Sequence, residues 1–191
     1  MDKVIGFYSH IAFSKNNNKY YTPSFIGKYL EKLSLSSKLI VFGHYDYYDN
    51  NIYDYEFNSG NIKFIDIGSK RHSLIRFLFG FYFLLKHYKD FNYIDHMFVR
   101  SPTPLSFWFR FFVKKNKLNY LVVADENEGA KNKIIFSYRD FFIKYFNFLS
   151  DKILWYTLRS NKVFVNSKAL YKKYLKFNPK LVSTSNLDVL D

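Results

Sequence analysis

Short apolar runs alternate with longer helix-like stretches along the chain, and this alternation constrains the fold more than any other feature. The apolar runs are Val4–Tyr8, Leu39–His44, Lys63–Ile67, His96–Arg100, Tyr120–Ala124, Val163–Asn166 and Lys180–Ser183. Strands that alternate with helices are typical of β-α-β units, which build parallel sheets. The sequence therefore predicts a single α/β domain over residues 1–191, with a mostly parallel sheet of about six or seven strands.

Apolar periodicity and capping residues predict the helices between these strands. The predicted helices cover 23–35 with Thr22 as the cap, 70–88, 105–115, 137–159 and 168–176 with Ser167 as the cap. The fourth is expected as one helix or as two helices bent near Ser150. Residues 52–57 and 62–67 are expected as a hairpin or as two short strands, because a turn cluster of Asn, Ser and Gly joins them.

The charge balance favours anionic partners. The chain carries 29 basic and 16 acidic residues, which gives a formal charge of +13. Such a chain is attracted to phospholipid headgroups, nucleic acid and phosphorylated substrates, and the charge alone does not choose among them. Cys is absent from the sequence, which excludes disulfides and thiolate metal sites.

Two predicted helices combine aromatic residues with cations. Arg71, Arg76 and Lys86 sit among the Phe and Tyr residues of 70–88, and Arg110 lies among those of 105–115. This pattern suits an anionic membrane surface or single-stranded nucleic acid. The alternative is that the aromatic side chains face the core while the cations are solvated. No RNP, KH or helix-turn-helix pattern is visible, so nucleic acid is the less favoured partner.

The longest apolar stretch, Leu74–Leu85, is too short to span a bilayer, which needs ~20 residues. The first strand begins at the N-terminus without a basic and then apolar leader, so secretion is not expected. We expect a cytoplasmic protein, at the inner face of the plasma membrane where it meets lipid.

The segment after the first strand, Ser9–Lys19, contains no Gly. A dinucleotide or P-loop site requires glycines there so that backbone N–H groups can approach phosphates, and neither motif occurs in the chain. The sequence therefore predicts no bound cofactor. This Asn-rich segment is expected as a mobile polar lip that gates an acceptor or partner, or as a solvated loop with no role.

Ligands of open parallel sheets bind beyond the carboxyl ends of the strands, so polar residues at these ends are the candidate site. Asp125 is the candidate general base on a hydroxyl nucleophile, with Glu126 beside it to raise one carboxyl pKa. The alternative for both is a helix N-terminus decorated with acids. His10 is a candidate base or donor to a sugar hydroxyl, and Arg100 is a candidate ligand for phosphate or carboxylate.

Two alternatives apply to these residues. Arg100 is as well explained by an ion pair with Asp125 or Glu126, and a lone His such as His10 more often has neither role. The other four residues of this type, His44, His72, His87 and His96, show no metal-ligand spacing, so no metal site is predicted.

Five segments in order resemble the N-terminal, acceptor-side domain of GT-B glycosyltransferases of the retaining group 1, family 4 type. They are Val4–Ser9, Lys28–Leu33, Phe98–Pro102 (similar to "vR-x-P"), Asn161–Leu170 (similar to "a-d-x-v-x-v-S-x-x-l") and Ser185–Asp188 (at the place of "N-G-v-D"). The chain departs from the family at Ser14–Asn18, which replaces a glycine-rich loop, and at Leu187, which replaces the Gly of "N-G-v-D". The second domain, with its Glu-x7-Glu motif, is not among these 191 residues.

The resemblance implies a Rossmann-like three-layer sandwich that binds the acceptor, while a C-terminal domain or partner subunit binds the nucleotide-sugar donor. It implies transfer of a sugar to a cell-surface glycan or lipid-linked acceptor, and no activity without the second domain. Asp125 and His10 then lie near the acceptor hydroxyl, and acceptor contacts are expected from Ser14, Arg100, Glu126 and Asn127. The competing hypothesis is a non-catalytic basic module that binds membrane surface or nucleic acid. A complete small hydrolase ranks last, because no G-x-S-x-G elbow is present.

Overall fold

The computed structural model describes residues 3–47, 49, 51–57, 60–68, 73–124, 138–159, 161–176, 178 and 181–183. Nine strands in this part of the chain form one sheet. The strands are β1 (Val4–Asn16), β2 (Lys19–Thr22), β3 (Lys38–Tyr45), β4 (Tyr55–Glu56), β5 (Ile62–Asp66), β6 (His96–Ser101), β7 (Leu118–Val122), β8 (Lys162–Val165) and β9 (Leu181–Ser183). The α/β class and the mostly parallel sheet are confirmed.

Seven of the described strands pair in parallel, in the order β5-β3-β1-β6-β7-β8-β9. From β1 the chain adds β3 and β5 on one side. It then crosses back to β6, on the other side of β1, and continues outward to β9, so the strand order reverses between β1 and β6. This is the Rossmann-like arrangement of strands. The remaining two strands, β2 and β4, pair antiparallel and raise the number above the predicted six or seven.

The segment predicted as a polar loop is a β-hairpin. β1 continues for 13 residues to Asn16 and returns as β2, with Ser14 opposite Tyr21 and Asn16 opposite Lys19. Asn17 and Asn18, at the turn, have φ angles of 48° and 62°. Asn tolerates this left-handed region better than most residues, and a two-residue turn with positive φ at both positions matches the twist of the flanking strands. The mobile lip expected here is therefore a paired element of the sheet.

Helices connect the parallel strands. They are α1 (Ser24–Ser34), α2 (Ser73–Leu85), α3 (Tyr88–Asn92), α4 (Tyr138–Leu158) and α5 (Lys168–Leu175), with a 3-10 turn at Trp108–Phe111. The Ser167 cap is confirmed, because its hydroxyl accepts a hydrogen bond from the Leu170 N–H at 3.2 Å. None of the described helices is long and apolar enough to cross a membrane.

Four predictions of local structure can be compared with the observed elements. The described part of the region predicted for 137–159 is one helix, whereas the helix predicted at 105–115 is turns around a short 3-10 segment. Residues 52–57 and 62–67 do not form a hairpin, because β4 pairs with β2 and β5 pairs with β3. Thr22 does not cap α1, because Pro23 is the capping residue and the Thr22 hydroxyl donates to the carbonyl of Ala12.

The apolar core lies on both faces of the sheet. Successive strand residues point to opposite faces, so Phe7 packs with Ile26 and Leu30 of α1, whereas Tyr8 faces the other side. On that second side the core is larger and receives buried side chains from α2, α3, the 3-10 turn, α4 and α5. These are Leu84, Phe91, Phe109, Leu154, Leu158, Leu170 and Tyr174.

Candidate functional site

The carboxyl edge of the sheet is opened at the point where the strand order reverses. β1 pairs with β3 on one side and with β6 on the other, and its last pair with β6 is Tyr8 opposite Val99. Connections leave the neighbouring strands β1 and β6 in opposite directions, which leaves a crevice beyond their ends. The residues that follow Tyr8 and Val99 are therefore the first place to look for a binding site.

Tyr8 is the centre of a buried hydrogen-bond chain at this crevice. Its hydroxyl lies 3.1 Å from Oγ1 of Thr103 and 3.4 Å from Nε2 of His44, and Nδ1 of His44 lies 3.0 Å from the carbonyl of Gly68. The Leu105 N–H donates to Thr103 Oγ1 at 3.1 Å. A single chain of hydrogen bonds therefore links β1, β3 and the segments after β5 and β6.

The donors in this chain are assigned by its two ends. Because a carbonyl only accepts, His44 donates from Nδ1 to Gly68, and neutral His44 then accepts at Nε2 from the Tyr8 hydroxyl. Tyr8 in turn accepts from the Thr103 hydroxyl, whose oxygen accepts from the Leu105 N–H. The Tyr8 hydroxyl also accepts a hydrogen bond from the Arg76 guanidinium.

Burial keeps the Tyr8 phenol protonated. Tyr8 is completely buried, and this burial raises the pKa of its hydroxyl to about 12, against the opposing effects of the Thr103 hydrogen bond and the Arg76 cation. Arg76 comes from α2 and is itself only 8% exposed. A buried guanidinium therefore lies beside the neutral hydroxyl, and the Tyr8 phenol is a hydrogen-bond donor rather than a base at neutral pH.

Thr103 also lines a cleft at the carboxyl edge. The cleft is small and partly open to solvent, and it lies between the segment after β6, the end of β7 and helix α4. Its walls are Pro102, Thr103, Ala124, Ser150, Asp151, Leu154 and Tyr174. Asp151 is held in this wall by an ion pair with Lys173 at 3.6 Å. The cleft thus offers a hydroxyl, a carboxylate and an aromatic ring to a ligand.

A second set of buried hydrogen bonds fixes the wall that carries Thr103. The hydroxyls of Ser101 and Ser106 lie 2.8 Å apart, and the Tyr120 hydroxyl donates to the Ser106 carbonyl at 3.0 Å. Burial raises the pKa of Tyr120, so this donor also stays protonated. The Ser101–Pro102 peptide bond, which is cis, lies within this fixed segment.

His10 and Arg100, predicted from the sequence, both lie just beyond the reversal point. His10 is half-buried in β1, two residues after Tyr8, where the pairing with β3 changes register. Arg100 follows Val99 and lies on the face of α1, where burial lowers the pKa of its guanidinium and the electrostatic effect of Tyr29 opposes this. The Nη1 atom of Arg100 is buried without a hydrogen-bond partner among the described residues.

Arg100 and the cleft are on different faces of the sheet. Arg100 shares its face with Tyr29 of α1, whereas the cleft is lined by Leu154 and Tyr174 of the opposite core. The structure therefore brings Arg100 to the reversal point but does not bring it to the cleft.

Ser14 lies in the β1–β2 hairpin, and its side chain is completely buried there. Its contact with an acceptor stays a prediction. The other predicted residues, Asp125, Glu126 and Asn127, lie outside the described residues, and so do their suggested ion pairs with Arg100. The chain reaches Asp125 directly after Ala124, which is exposed at the rim of the cleft.

Tyr8, Thr103 and Arg76 were missed as site residues by sequence reasoning. The sequence pattern predicts Tyr8 to be a core residue of an apolar strand and Arg76 to be one of the cations in an aromatic helix, so neither is singled out as a site residue. Thr103 had a usable signal, because it stands in Ser101–Pro104 directly after a strand. No group of three or more metal-ligating side chains occurs among the described residues.

Comparisons with known proteins return no match: no family model, no curated protein and no solved structure resembles the chain closely enough to be counted. The candidate site therefore stands on its own geometry and on the sequence.

Proposed function

We propose that the chain is the acceptor-side half of a GT-B sugar transferase, which moves a sugar from a nucleotide-sugar to a cell-surface glycan or lipid-linked acceptor. The observation that carries this proposal is the reversal of strand order between β1 and β6, with a polar cleft beside it. Doubly wound sheets bind their ligands at such a point. The helices on both faces support a three-layer sandwich, the architecture that the family resemblance implies.

The cleft suits a sugar better than a charged ligand. Thr103 offers a hydroxyl and Asp151 a carboxylate that is paired with Lys173, while the largely buried Leu154 and Tyr174 form the apolar part of the wall. Hydroxyl-rich ligands are recognised by a few placed polar groups beside apolar surface. We assign the acceptor sugar to this cleft.

In this proposal Asp125, the residue after Ala124, is the general base. The acceptor oxygen forms the new glycosidic bond, the bond between the donor sugar and its phosphate breaks, and the acceptor proton passes to the carboxylate. His10 is the second candidate for contact with that hydroxyl. Glu126 and Asn127 are proposed acceptor contacts, and Arg100 is proposed to hold an anionic group at the α1 side of the crevice.

The donor is proposed to bind to a second domain or partner subunit, and no bound cofactor is required. The chain alone is then expected to bind acceptor weakly and to transfer nothing. We place this activity in the cytoplasm, at the inner face of the plasma membrane.

The test is binding of uncharged oligosaccharides to the 191-residue chain, followed by the backbone amide signals in ¹H–¹⁵N spectra. We expect shifts at 101–106 and at Ala124, and none at Leu35 on the far side. Ala124→Trp fills the rim of the cleft and should abolish these shifts. Ala169→Trp, also at an exposed alanine but outside the cleft, is the matched control and should leave them unchanged.

Three results would count against the proposal. Shifts that survive Ala124→Trp would place the acceptor elsewhere. Sugar transfer by the chain alone from a nucleotide-sugar would contradict the division between two domains. Binding to oligonucleotides with a steep salt dependence and no oligosaccharide shifts would favour the basic binding module.

A further inference from the structure

Helix α2 has its polar and apolar sides reversed. The positions that face the protein are Arg76, Gly80 and Leu84, which are buried, while most of the large apolar side chains face outward. Seven of the helix's 13 residues are exposed large apolar ones: Leu74, Ile75, Leu78, Phe79, Phe81, Tyr82 and Leu85. A surface helix in water normally shows the opposite distribution. The alternative, in which the aromatics face the core and the cations face solvent, is wrong for Phe79, Phe81 and Tyr82, which are exposed, and for Arg76, which is buried. Lys86 is exposed, as that alternative expects.

This orientation of α2 is fixed by packing. Gly80 lies so close to the 3-10 turn that a Cβ atom there would clash with Trp108 and come within 2.7 Å of Leu105 Cδ2. The Trp108 indole N–H also donates to the carbonyl of Phe77 at 2.7 Å. Turning the helix to bury its leucines would break both contacts, so the outward apolar side is a stable feature of the fold.

The exposed side of α2 continues onto the neighbouring turn. The ring of Phe81 lies 6.2 Å from that of Phe111, which is also exposed. The Arg110 guanidinium lies over Phe111 at 5.8 Å and over Tyr156 of α4 at 5.0 Å. We call the exposed apolar residues of α2 together with Phe111 the α2 face. These side chains are neighbours on one helix and the adjoining turn, whereas exposed apolar residues on a protein surface are normally scattered singly.

Cations lie over the aromatic rings at and beside the α2 face. Arg110 lies over Phe111, and the nearby carboxylate of Asp90 is paired with Lys63 at 3.0 Å. Lys86 lies over the ring of Tyr82 at 4.9 Å, and Lys89 lies over that of Tyr88 at 6.0 Å. A protein partner for this face would need an apolar centre with an acidic rim, whereas nucleic acid offers phosphates but no apolar layer. An anionic lipid surface offers both phosphates and an apolar layer.

We propose that the α2 face docks the protein on an anionic phospholipid bilayer. The exposed Leu and Phe side chains enter the boundary between headgroups and acyl chains, and the cations at the rim meet the lipid phosphates. At 1.5 Å per residue, α2 is about 20 Å long. It is too short to cross the ~30 Å hydrocarbon core and fits a position in the plane of the interface. This inference does not depend on the proposed transferase activity.

The experiment is flotation of the chain with phosphatidylcholine vesicles, with and without phosphatidylglycerol. We expect binding only to the anionic vesicles, and we expect it to weaken with added salt. The double variant Leu78→Ser/Phe79→Ser should lower the apparent affinity at least about tenfold, because two side chains lose their apolar burial. The matched control is Phe25→Ser/Leu35→Ser, which changes the same two residue types at exposed positions of the α1 side.

Charge is tested by a second pair of variants. Lys86→Gln/Lys89→Gln should reduce the apparent affinity about thirtyfold, since each cation near the surface contributes roughly fivefold. The control Lys3→Gln/Lys32→Gln removes two exposed lysines away from the α2 face. Equal losses of vesicle binding in the two double variants would overturn the proposal, because they would show that only net charge matters.

A measurement without any change in α2 completes the test. The chain has two tryptophans, so Trp155→Phe leaves Trp108 beside the α2 face as the only one. Brominated anionic lipid should quench its fluorescence if the face meets the bilayer. Absence of quenching, equal binding to neutral vesicles, or a dimer in sedimentation that Leu78→Ser/Phe79→Ser dissociates would each overturn the proposal, the last by showing that a second copy covers the face.

Discussion

The hydroxyl of Tyr8 lies 3.1 Å from Oγ1 of Thr103, so a hydrogen bond joins the first strand to the segment after the sixth across the reversal point of the sheet. One of the two residues is completely buried and the other lines the cleft. A substitution of Tyr8 is therefore expected to change the position of Thr103 in the wall of the cleft through this one hydrogen bond.

Tyr8→Phe is the first prediction. Removing the hydroxyl leaves the Thr103 donor and the Nε2 acceptor of His44 without their partner in a buried space. We expect the free energy of unfolding to fall by about 1–3 kcal/mol, measured by urea denaturation. Tyr82→Phe, at an exposed position of α2, is the control and should change it by less than ~0.5 kcal/mol. Equal effects of the two variants would mean that the hydrogen-bond chain is not formed.

The raised pKa of Tyr8 predicts that the stability of the fold decreases at alkaline pH. The pKa of Tyr8 is raised from 10.0 to about 12, so the folded state holds this proton more tightly than the unfolded state. Its contribution to stability is complete below pH 10 and is lost as the pH rises through about 12. Urea denaturation between pH 9 and pH 12 should show a shallower decline of stability in Tyr8→Phe than in the parent chain. An unchanged slope would contradict the burial of the phenol.

Gly80→Ala tests how α2 is held. Alanine favours an isolated helix over glycine by about 1 kcal/mol, yet here its methyl group would collide with Trp108 and Leu105. We expect a net loss of about 1–3 kcal/mol in the free energy of unfolding. Leu78→Ala, on the exposed side of the same helix, should have little effect. Stabilisation by Gly80→Ala would show that α2 does not pack closely on the 3-10 turn.

Asn18 tests the hairpin that the sequence did not predict. Its φ angle of 62° suits glycine and is costly for a β-branched residue. Asn18→Gly should preserve or slightly raise the melting temperature. Asn18→Val should lower the melting temperature, because it reduces the free energy of unfolding by about 1–2 kcal/mol. Asn16→Val, in the strand beside the turn, is the control. A melting temperature that is the same for valine and glycine at position 18 would argue against the turn.

The buried strands were predictable because their apolar runs leave few alternatives. Leu39–His44 and Val163–Asn166 match β3 and β8 within about a residue, since a strand covered on both faces is continuously apolar. The end of β1 was not predictable in this way. Its last residues and β2 pair as a polar hairpin, where side chains such as Lys15 and Asn16 resemble those of a loop.

The segment 105–115 shows where local periodicity fails. Its apolar residues recur as in a helix, but Phe109 is drawn completely into the core and Trp108 is bound to the carbonyl of Phe77 on α2. These long-range contacts outweigh the local preference and leave a 3-10 turn. The sequence predicted the region of the candidate site but not its details. His10 and Arg100 were found because they follow strands, whereas the hydrogen bonds of Tyr8 join residues that are far apart in sequence.

The central position of β1 has a consequence for the order in which the protein can be assembled. Of the described strands β1 is synthesised first, and β3 joins one of its edges about thirty residues later, but β6, its other neighbour, begins only at His96. A nascent chain that ends before His96 therefore carries its central strand with one edge open, and open edges recruit other strands. Translational pausing before β6 has left the ribosome is therefore expected to promote misassembly.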